Sequence, residues 1–288
     1  MPTQLTKAAD GRTIAIDSTG SPDGRAVFLL HGTPGSRIGP SPRPMVLHRL
    51  GIHLISIDRP GYGDSDRHPG RTVADFAEDV QSVADVLGID RFAVVGRSGG
   101  APHALACAAL LPDRVTRVAA LVSLAPSDAE GLDWYSGMAD SNVSAYTSAE
   151  HGRQRLAATI QVRSRDIRAD PSRLLADLRG ELPDSDRRVV ADPVLRRILE
   201  LTYSEALRYG PNGWIDDALA LRGDWGFDPG DIRVPVLLWH GEDDPFSPVE
   251  HSRWLADRIP GARMVIEPGA AHFGALQQLI PMIRWAAR

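Results

Sequence analysis

The chain has 288 residues, of which 43% are hydrophobic and 24% charged, and a net charge of −5, the make-up of an ordinary soluble globular protein. That charge, with basic residues scattered among acids, excludes nucleic acid as an expected partner, and the single cysteine, Cys107, excludes an internal disulfide and a Cys-based zinc site. Lys7 is the only lysine and lies in no Walker, Schiff-base or Ser-x-x-Lys motif.

Arg12 to Asp17 and Ala26 to Leu30 are predicted as strands, and the Gly20-Ser21-Pro22-Asp23-Gly24 turn between them suits a hairpin. His53 to Ile57 follows as a strand, Thr72 to Leu87 as an amphipathic helix, Phe92 to Val95 as a strand, Ala101 to Leu111 as a helix and Val115 to Leu124 as a strand. Apolar strands alternating with helices predict an α/β fold with a mostly parallel sheet. Between about Ser127 and Gly226 the strand pattern disappears. Leu156, Ile160 and Ile167 mark one helix there, Leu195, Ile198, Leu199 and Thr202 another ending at Gly210-Pro211, and Ile215 with Leu219 a third. Asp170-Pro171 and Asp192-Pro193 each read as an N-cap carboxylate followed by proline at the first helical position. The α/β pattern then resumes: strand Val234 to Trp239, helix Pro248 to Ile259, strand Arg263 to Ile266, helix His272 to Ala287. The expected organisation is a core over 1–126 and 227–288, interrupted by a helical cap over 127–226. The first twenty residues hold no apolar core of signal-peptide length and no 18-residue apolar run occurs, so a cytoplasmic protein with no membrane partner is expected.

Gly96-Arg97-Ser98-Gly99-Gly100 lies at the corner between a predicted strand and a predicted helix. Gly-x-Ser-x-Gly in that setting is a nucleophile elbow. The turn is tight enough that the residues two before and two after the serine must be glycine or nearly as small. It holds the Ser98 hydroxyl at the top of a sheet, beside the free N–H groups of a helix N-terminus. A serine nucleophile needs a base, and the base needs an orienting acid. His272, in the small-residue loop Gly269-Ala270-Ala271-His272 after the last strand, is the candidate base. Asp243 and Asp244, after the strand ending at Trp239, are candidate acids, and Asp128 is a third in case the acid comes one strand earlier. No His-Glu-x-x-His or calcium-loop spacing occurs, so neither metal nor cofactor is expected.

Five segments together resemble the α/β-hydrolases with a helical cap: His31-Gly32-Thr33-Pro34-Gly35, Asp58-Arg59-Pro60-Gly61-Tyr62-Gly63-Asp64-Ser65, the elbow, Gly241-Glu242-Asp243-Asp244-Pro245-Phe246-Ser247-Pro248, and Gly269-Ala270-Ala271-His272. Their order and spacing span essentially the whole chain. The resemblance places the acid four residues before Pro248, at Asp244. It also implies an oxyanion hole from backbone N–H groups: Gly99, immediately after the nucleophile, and Thr33 in the His-Gly loop, since Pro34 has no N–H. His31 braces that loop rather than reacting. Related dehalogenases and epoxide hydrolases carry aspartate at the elbow, where this chain has Ser98.

These residues imply a serine hydrolase of the carboxylic ester hydrolase kind, cleaving an ester, lactone or related acyl bond of a small molecule through an acyl-enzyme. Trp134, Tyr135, Met138, Tyr146, Tyr203 and Trp214 of the cap are expected to supply a mostly apolar pocket. Two alternatives follow from the same resemblance. One is an amidase of the proline iminopeptidase type, although those carry Gly-Gly-Pro-Gly at the loop and tryptophan after the nucleophile, where Thr33 and Gly99 stand here. The other is a ligand receptor that keeps the triad without turnover.

Overall fold

In the computed structural model, which describes residues 3–288, the strands and helices run in chain order as follows. β1 (Gln4–Lys7), β2 (Thr13–Gly20) and β3 (Arg25–Leu30) lead to α1 (Pro44–Arg49), β4 (Ile52–Ile57) and α2 (Phe76–Val86). β5 (Phe92–Arg97), α3 (Gly100–Leu110) and β6 (Val115–Leu121) complete the first stretch. Six helices follow with no strand between them: α4 (Asp140–Glu150), α5 (Arg153–Ala169), α6 (Arg173–Asp177), α7 (Asp184–Val190), α8 (Pro193–Ala206) and α9 (Asn212–Arg222). The chain returns through β7 (Val236–Gly241), α10 (Val249–Arg258), β8 (Arg263–Glu267) and α11 (Leu279–Ala286).

The eight strands form one sheet in the order β1-β2-β4-β3-β5-β6-β7-β8, parallel from β4 to β8 and antiparallel at the β1-β2 edge and between β2 and β4. Successive strand residues alternate between two cores, as a period of two requires. Phe28, Leu30 and Val94 join α2 and α3 on one face, while Val27, Leu29 and Val95 join Leu47 of α1 and Leu279, Met282 and Ile283 of α11 on the other. This double burial is why the central strands are apolar almost without interruption.

The expected hairpin between the first two predicted strands does not form. β2 pairs antiparallel with β4 (Ile16 opposite Ile57), and β3 pairs parallel with β4 on its other side (Leu30 opposite Ile57). The glycine turn reports only that the chain reverses. The apolar β3 gains more from two neighbours in the middle of the sheet than from one at its edge. The hairpin at this edge is instead β1 with β2, and β1 is four residues with one buried side chain, too short to read as a strand.

Within the helical stretch, Asp192 caps α8 as expected, its carboxylate accepting from the Val194 and Leu195 N–H groups at 2.8 and 2.9 Å. Asp170-Pro171 is an exit rather than a start. α5 continues to Ala169, and the Asp170 carboxylate accepts from the Ser172 N–H and hydroxyl in the turn before α6. α8 ends at Ala206, one turn before Gly210, and β6 ends at Leu121 rather than Leu124. The predicted last helix is split: His272–Gln278 is a 3₁₀ segment and α11 starts at Leu279. Pro281, with no N–H and a ring that clashes with the carbonyl four residues back, prevents one continuous α-helix.

Candidate active site

Ser98 sits between β5 and α3 with φ +53°, one of two non-glycine residues at positive φ among the described residues; the other is Val122, at the end of β6. Left-handed backbone at a non-glycine residue is strained and persists only where its surroundings impose it. Here the surroundings are the glycines: a Cβ on Gly96 would come within 2.2 Å of the Gly100 carbonyl oxygen, and one on Gly100 within 2.5 Å of the His31 carbonyl oxygen. The elbow therefore depends on both glycines, as the sequence implies.

The Ser98 Oγ lies 3.1 Å from His272 Nε2, and His272 Nδ1 lies 2.8 Å from Asp244 Oδ2. Asp244 is buried, and its other oxygen accepts from the N–H groups of Phe246 (2.8 Å) and Ser247 (3.1 Å). Burial alone would raise this carboxyl, but the neighbouring His272 and the hydrogen bonds from His240 and His272 outweigh it and hold it well below the usual carboxylate range. An ionised carboxylate only accepts, so Nδ1 of His272 carries the proton and Nε2 is left to accept from the Ser98 hydroxyl. Asp243 and Asp128 are exposed. The structure thus brings Ser98, His272 and Asp244 together and leaves the other two acids outside.

Thr33 and Gly99 meet beside Ser98: a Cβ on Gly99 would fall 2.1 Å from the Thr33 Oγ1. Neither backbone N–H donates to a protein acceptor among the described residues. His31 is half-buried beneath them, with Nδ1 2.8 Å from the Gly32 carbonyl oxygen and Nε2 accepting from the Arg59 N–H. Desolvation pushes its pKa well down, which keeps the ring neutral as a brace. His103 on α3 is fully buried, pushed down to about 3 by desolvation, with Nδ1 2.7 Å from the Gly99 carbonyl oxygen. Burial pushes the Cys107 thiol up to about 12, the behaviour of an unreactive core thiol.

The Thr33 loop is fixed by a group that periodicity did not single out. Asp217 of α9 is fully buried and accepts from the Thr33 hydroxyl (2.6 Å), the Tyr62 hydroxyl (2.9 Å), Arg59 (2.6 Å) and Arg71. Burial would raise its carboxyl, yet the charges of Arg59 and Arg71 hold it well below the usual range. The signal was available: α9 carries Asp216 and Asp217 inside an otherwise apolar helix with no polar face. Removing one partner of a buried ion cluster leaves the others without counter-charge, at a cost of about 3–5 kcal/mol. Asp217→Ala is therefore expected to lower the urea unfolding free energy by about that amount. A loss below about 1 kcal/mol would remove Asp217 from any role in anchoring the loop.

His272 is approached by the helical stretch as well. Asp186 of α7 accepts from the Phe273 and Gly274 N–H groups (2.8 and 3.2 Å), so one helix of the insertion holds the 3₁₀ segment that carries the histidine. Its second oxygen is buried without a partner, and desolvation pushes the carboxyl up to about 6.

A cavity opens over Ser98 and His272, walled by the core on one side and the helical stretch on the other. Of the side chains expected to supply the pocket, Tyr146, Tyr203 and Trp214 line it; Trp134, Tyr135 and Met138 do not. Trp134 instead packs edge-on against Tyr146 and His251, behind the lining. The wall is less apolar than expected, because Arg97 and Arg163 also face it and no Asp or Glu does. No helix among the described residues is long and apolar enough to cross a membrane, and no three His, Cys, Asp or Glu residues among them gather as metal ligands.

A family profile described as alpha/beta hydrolase fold matches residues 25–278. A pimeloyl-[acyl-carrier protein] methyl ester esterase from Nitrosomonas europaea is 28% identical over 265 residues, 90% of this chain and 92% of that protein. A proline iminopeptidase from Arabidopsis thaliana is 33% identical over 113 residues, and the match spans 38% of this chain and only 30% of that protein's length. Among solved structures, a hydrolase from Pseudomonas aeruginosa superposes with a TM-score of 0.73 at 21% identity, covering 99% of this chain and 96% of that one.

Proposed function

The chain belongs to the α/β-hydrolase fold family, and on that premise we propose that it is a serine hydrolase that cleaves a small carboxylic ester or lactone through an acyl-enzyme. The observation that carries the reading is the hydrogen-bonded chain from Ser98 through His272 to Asp244 on the floor of a cavity. In this mechanism the Ser98 Oγ attacks the acyl carbon while His272 Nε2 takes the hydroxyl proton. The oxyanion that develops is held by the Thr33 and Gly99 N–H groups, and Asp244 stabilises the imidazolium. Collapse breaks the acyl–oxygen bond of the ester, and His272 returns the proton to the departing alkoxide. Water then enters, gives its proton to His272 and attacks the acyl carbon; the acid leaves and Ser98 recovers its proton.

We further assign residues 127–226 the role of a cap. The stretch leaves the core after β6, the strand next to the one that carries the elbow, and its Tyr146, Tyr203 and Trp214 line the cavity over Ser98. A cover there excludes water, which strengthens the interactions of the oxyanion donors. The partial likeness to a proline iminopeptidase supports an amidase as the second reading. An aminopeptidase must hold a cationic amine, however, and the cavity presents two arginines and no carboxylate.

The test is a panel of p-nitrophenyl esters from acetate to decanoate with prolyl p-nitroanilide alongside. Short esters are expected to turn over, and decanoate to be slower by about tenfold or more, because added methylenes overfill a fixed cavity. Equal turnover of short and long esters would remove the cap's restrictive role. Turnover of the prolyl amide alone would replace the esterase reading with the amidase one.

A further inference from the structure

Arginine side chains in this protein are nearly always paired when they leave water. Arg59 and Arg71 share Asp217, Arg37 meets Asp58 and Glu205, and Arg67 and Arg153 meet Asp216. Arg97 and Arg163 break that pattern. Neither donates a hydrogen bond or makes an ion pair with any side chain among the described residues, and both line the cavity above Ser98.

Arg97 immediately precedes the nucleophile, and its guanidinium lies beside the oxyanion loop, 3.0 Å from where a Gly32 Cβ would stand. Arg163 comes from α5 on the opposite, inserted side and rests over the Trp214 ring, 5.3 Å from its centroid. That stacking fixes the plane of the guanidinium but leaves its N–H fork free. Desolvation pulls the pKa of both groups down, although an arginine stays protonated at neutral pH. The acids whose charges reach them pair with neither: Asp177 near Arg163 is exposed, and the second oxygen of Asp186 near Arg97 is buried without a partner. Asp244 serves His272, Glu181 accepts from the Ser141 N–H and hydroxyl, and Asp186 holds the Phe273 and Gly274 N–H groups. A cavity wall with two half-buried, unpartnered positive charges and no carboxylate is costly unless an anion completes it.

We propose that Arg97 and Arg163 form an anion subsite, and that the substrate is an ester or lactone whose acyl part carries a carboxylate. The proposal rests on the hydrolase reading for the reaction but on the arginines alone for the anion. Bidentate N–H donation suits a planar carboxylate, and a neutral ester of equal length leaves both forks unsatisfied. Hydrolysis of such an ester adds water across the acyl–oxygen bond and releases an alcohol and a dicarboxylate.

The experiment compares monomethyl glutarate, which carries the carboxylate, with methyl valerate, which has the same acyl chain length and no charge. Hydrolysis by the native protein is followed by proton release, and binding to Ser98→Ala protein by calorimetry. The charged ester is expected to be favoured by about 10- to 100-fold in kcat/KM and in affinity, with the advantage shrinking as salt is raised. Arg97→Met and Arg163→Met should each cut that ratio by about tenfold. Two substitutions on separate elements keep the test decisive if one fails to fold. Equal kcat/KM and equal affinity for the two esters, or a preference that survives both substitutions, would overturn the subsite. If the native protein hydrolysed neither ester while Ser98→Ala still bound the charged one selectively, the subsite would stand and the hydrolase reading would fall.

Discussion

Ser98→Ala is expected to abolish labelling by a fluorophosphonate and to lower ester turnover on the order of 10⁶-fold, the scale on which loss of the nucleophile disables an acyl-enzyme mechanism. The substitution removes one oxygen and little else. Alanine meets the same left-handed backbone constraint as serine at φ +53°, and the glycines that impose the turn are untouched. The hydrogen bond from the Ser98 N–H to the Leu121 carbonyl oxygen is a main-chain bond and survives. The unfolding midpoint should therefore stay close to native while activity disappears. Residual turnover comes from the Thr33 and Gly99 donors acting on water attack. Equal labelling of native and Ser98→Ala protein would place the reactive group elsewhere. A native protein that neither labels nor turns over any ester would favour the receptor reading of the same fold.

The elbow was legible because its geometry is local. The serine must sit between a strand and a helix, and Gly96 and Gly100 leave room that no Cβ could share with the Gly100 and His31 carbonyl oxygens. His272 was legible from its small-residue loop and its place after the last strand. Choosing Asp244 over Asp243 was not possible from the residues themselves. The two are neighbours of one type, and only the resemblance to a family pattern separated them. In the fold the reason is plain, since the turn after β7 directs one carboxylate inward to His272 and the other into solvent.

What stayed hidden depends on partners far apart in the chain. Asp217 acts through Thr33, Arg59, Tyr62 and Arg71, separated from it by well over a hundred residues. In the sequence Arg163 is one of many arginines of the helical stretch, and Arg97 fills the variable position before Ser98 in Gly-x-Ser-x-Gly. The proposed anion subsite rests on both standing unpaired in one cavity wall, which no local pattern encodes. The misplaced hairpin has the same origin: a turn signal is local, but whether two strands pair depends on a third, β4, slipping between them.

Asp244→Asn is expected to reduce kcat/KM for a short-chain ester on the order of 10⁴-fold, while Asp243→Asn stays within about threefold of native. The asymmetry follows from proton placement rather than charge alone. In the native site Asp244 accepts from His272 Nδ1–H at 2.8 Å, which leaves Nε2 unprotonated and 3.1 Å from the Ser98 Oγ. An asparagine can still accept from the Phe246 and Ser247 N–H groups with its carbonyl oxygen, and that choice points its NH₂ at His272. Nδ1 must then accept, the proton moves to Nε2, and the nitrogen facing Ser98 can no longer take its proton. Asp243 is exposed and makes no side-chain hydrogen bond among the described residues, so its loss changes little beyond surface charge. The reverse ranking of the two variants would shift the acid by one residue, and full activity in both would redirect attention to Asp128. Because the turn keeps its hydrogen bonds in Asp244→Asn, the loss should fall on kcat and on the rate of fluorophosphonate labelling together, with the unfolding midpoint near native. A parallel collapse of stability would instead make Asp244 a structural residue of the loop, and the tautomer argument would fail.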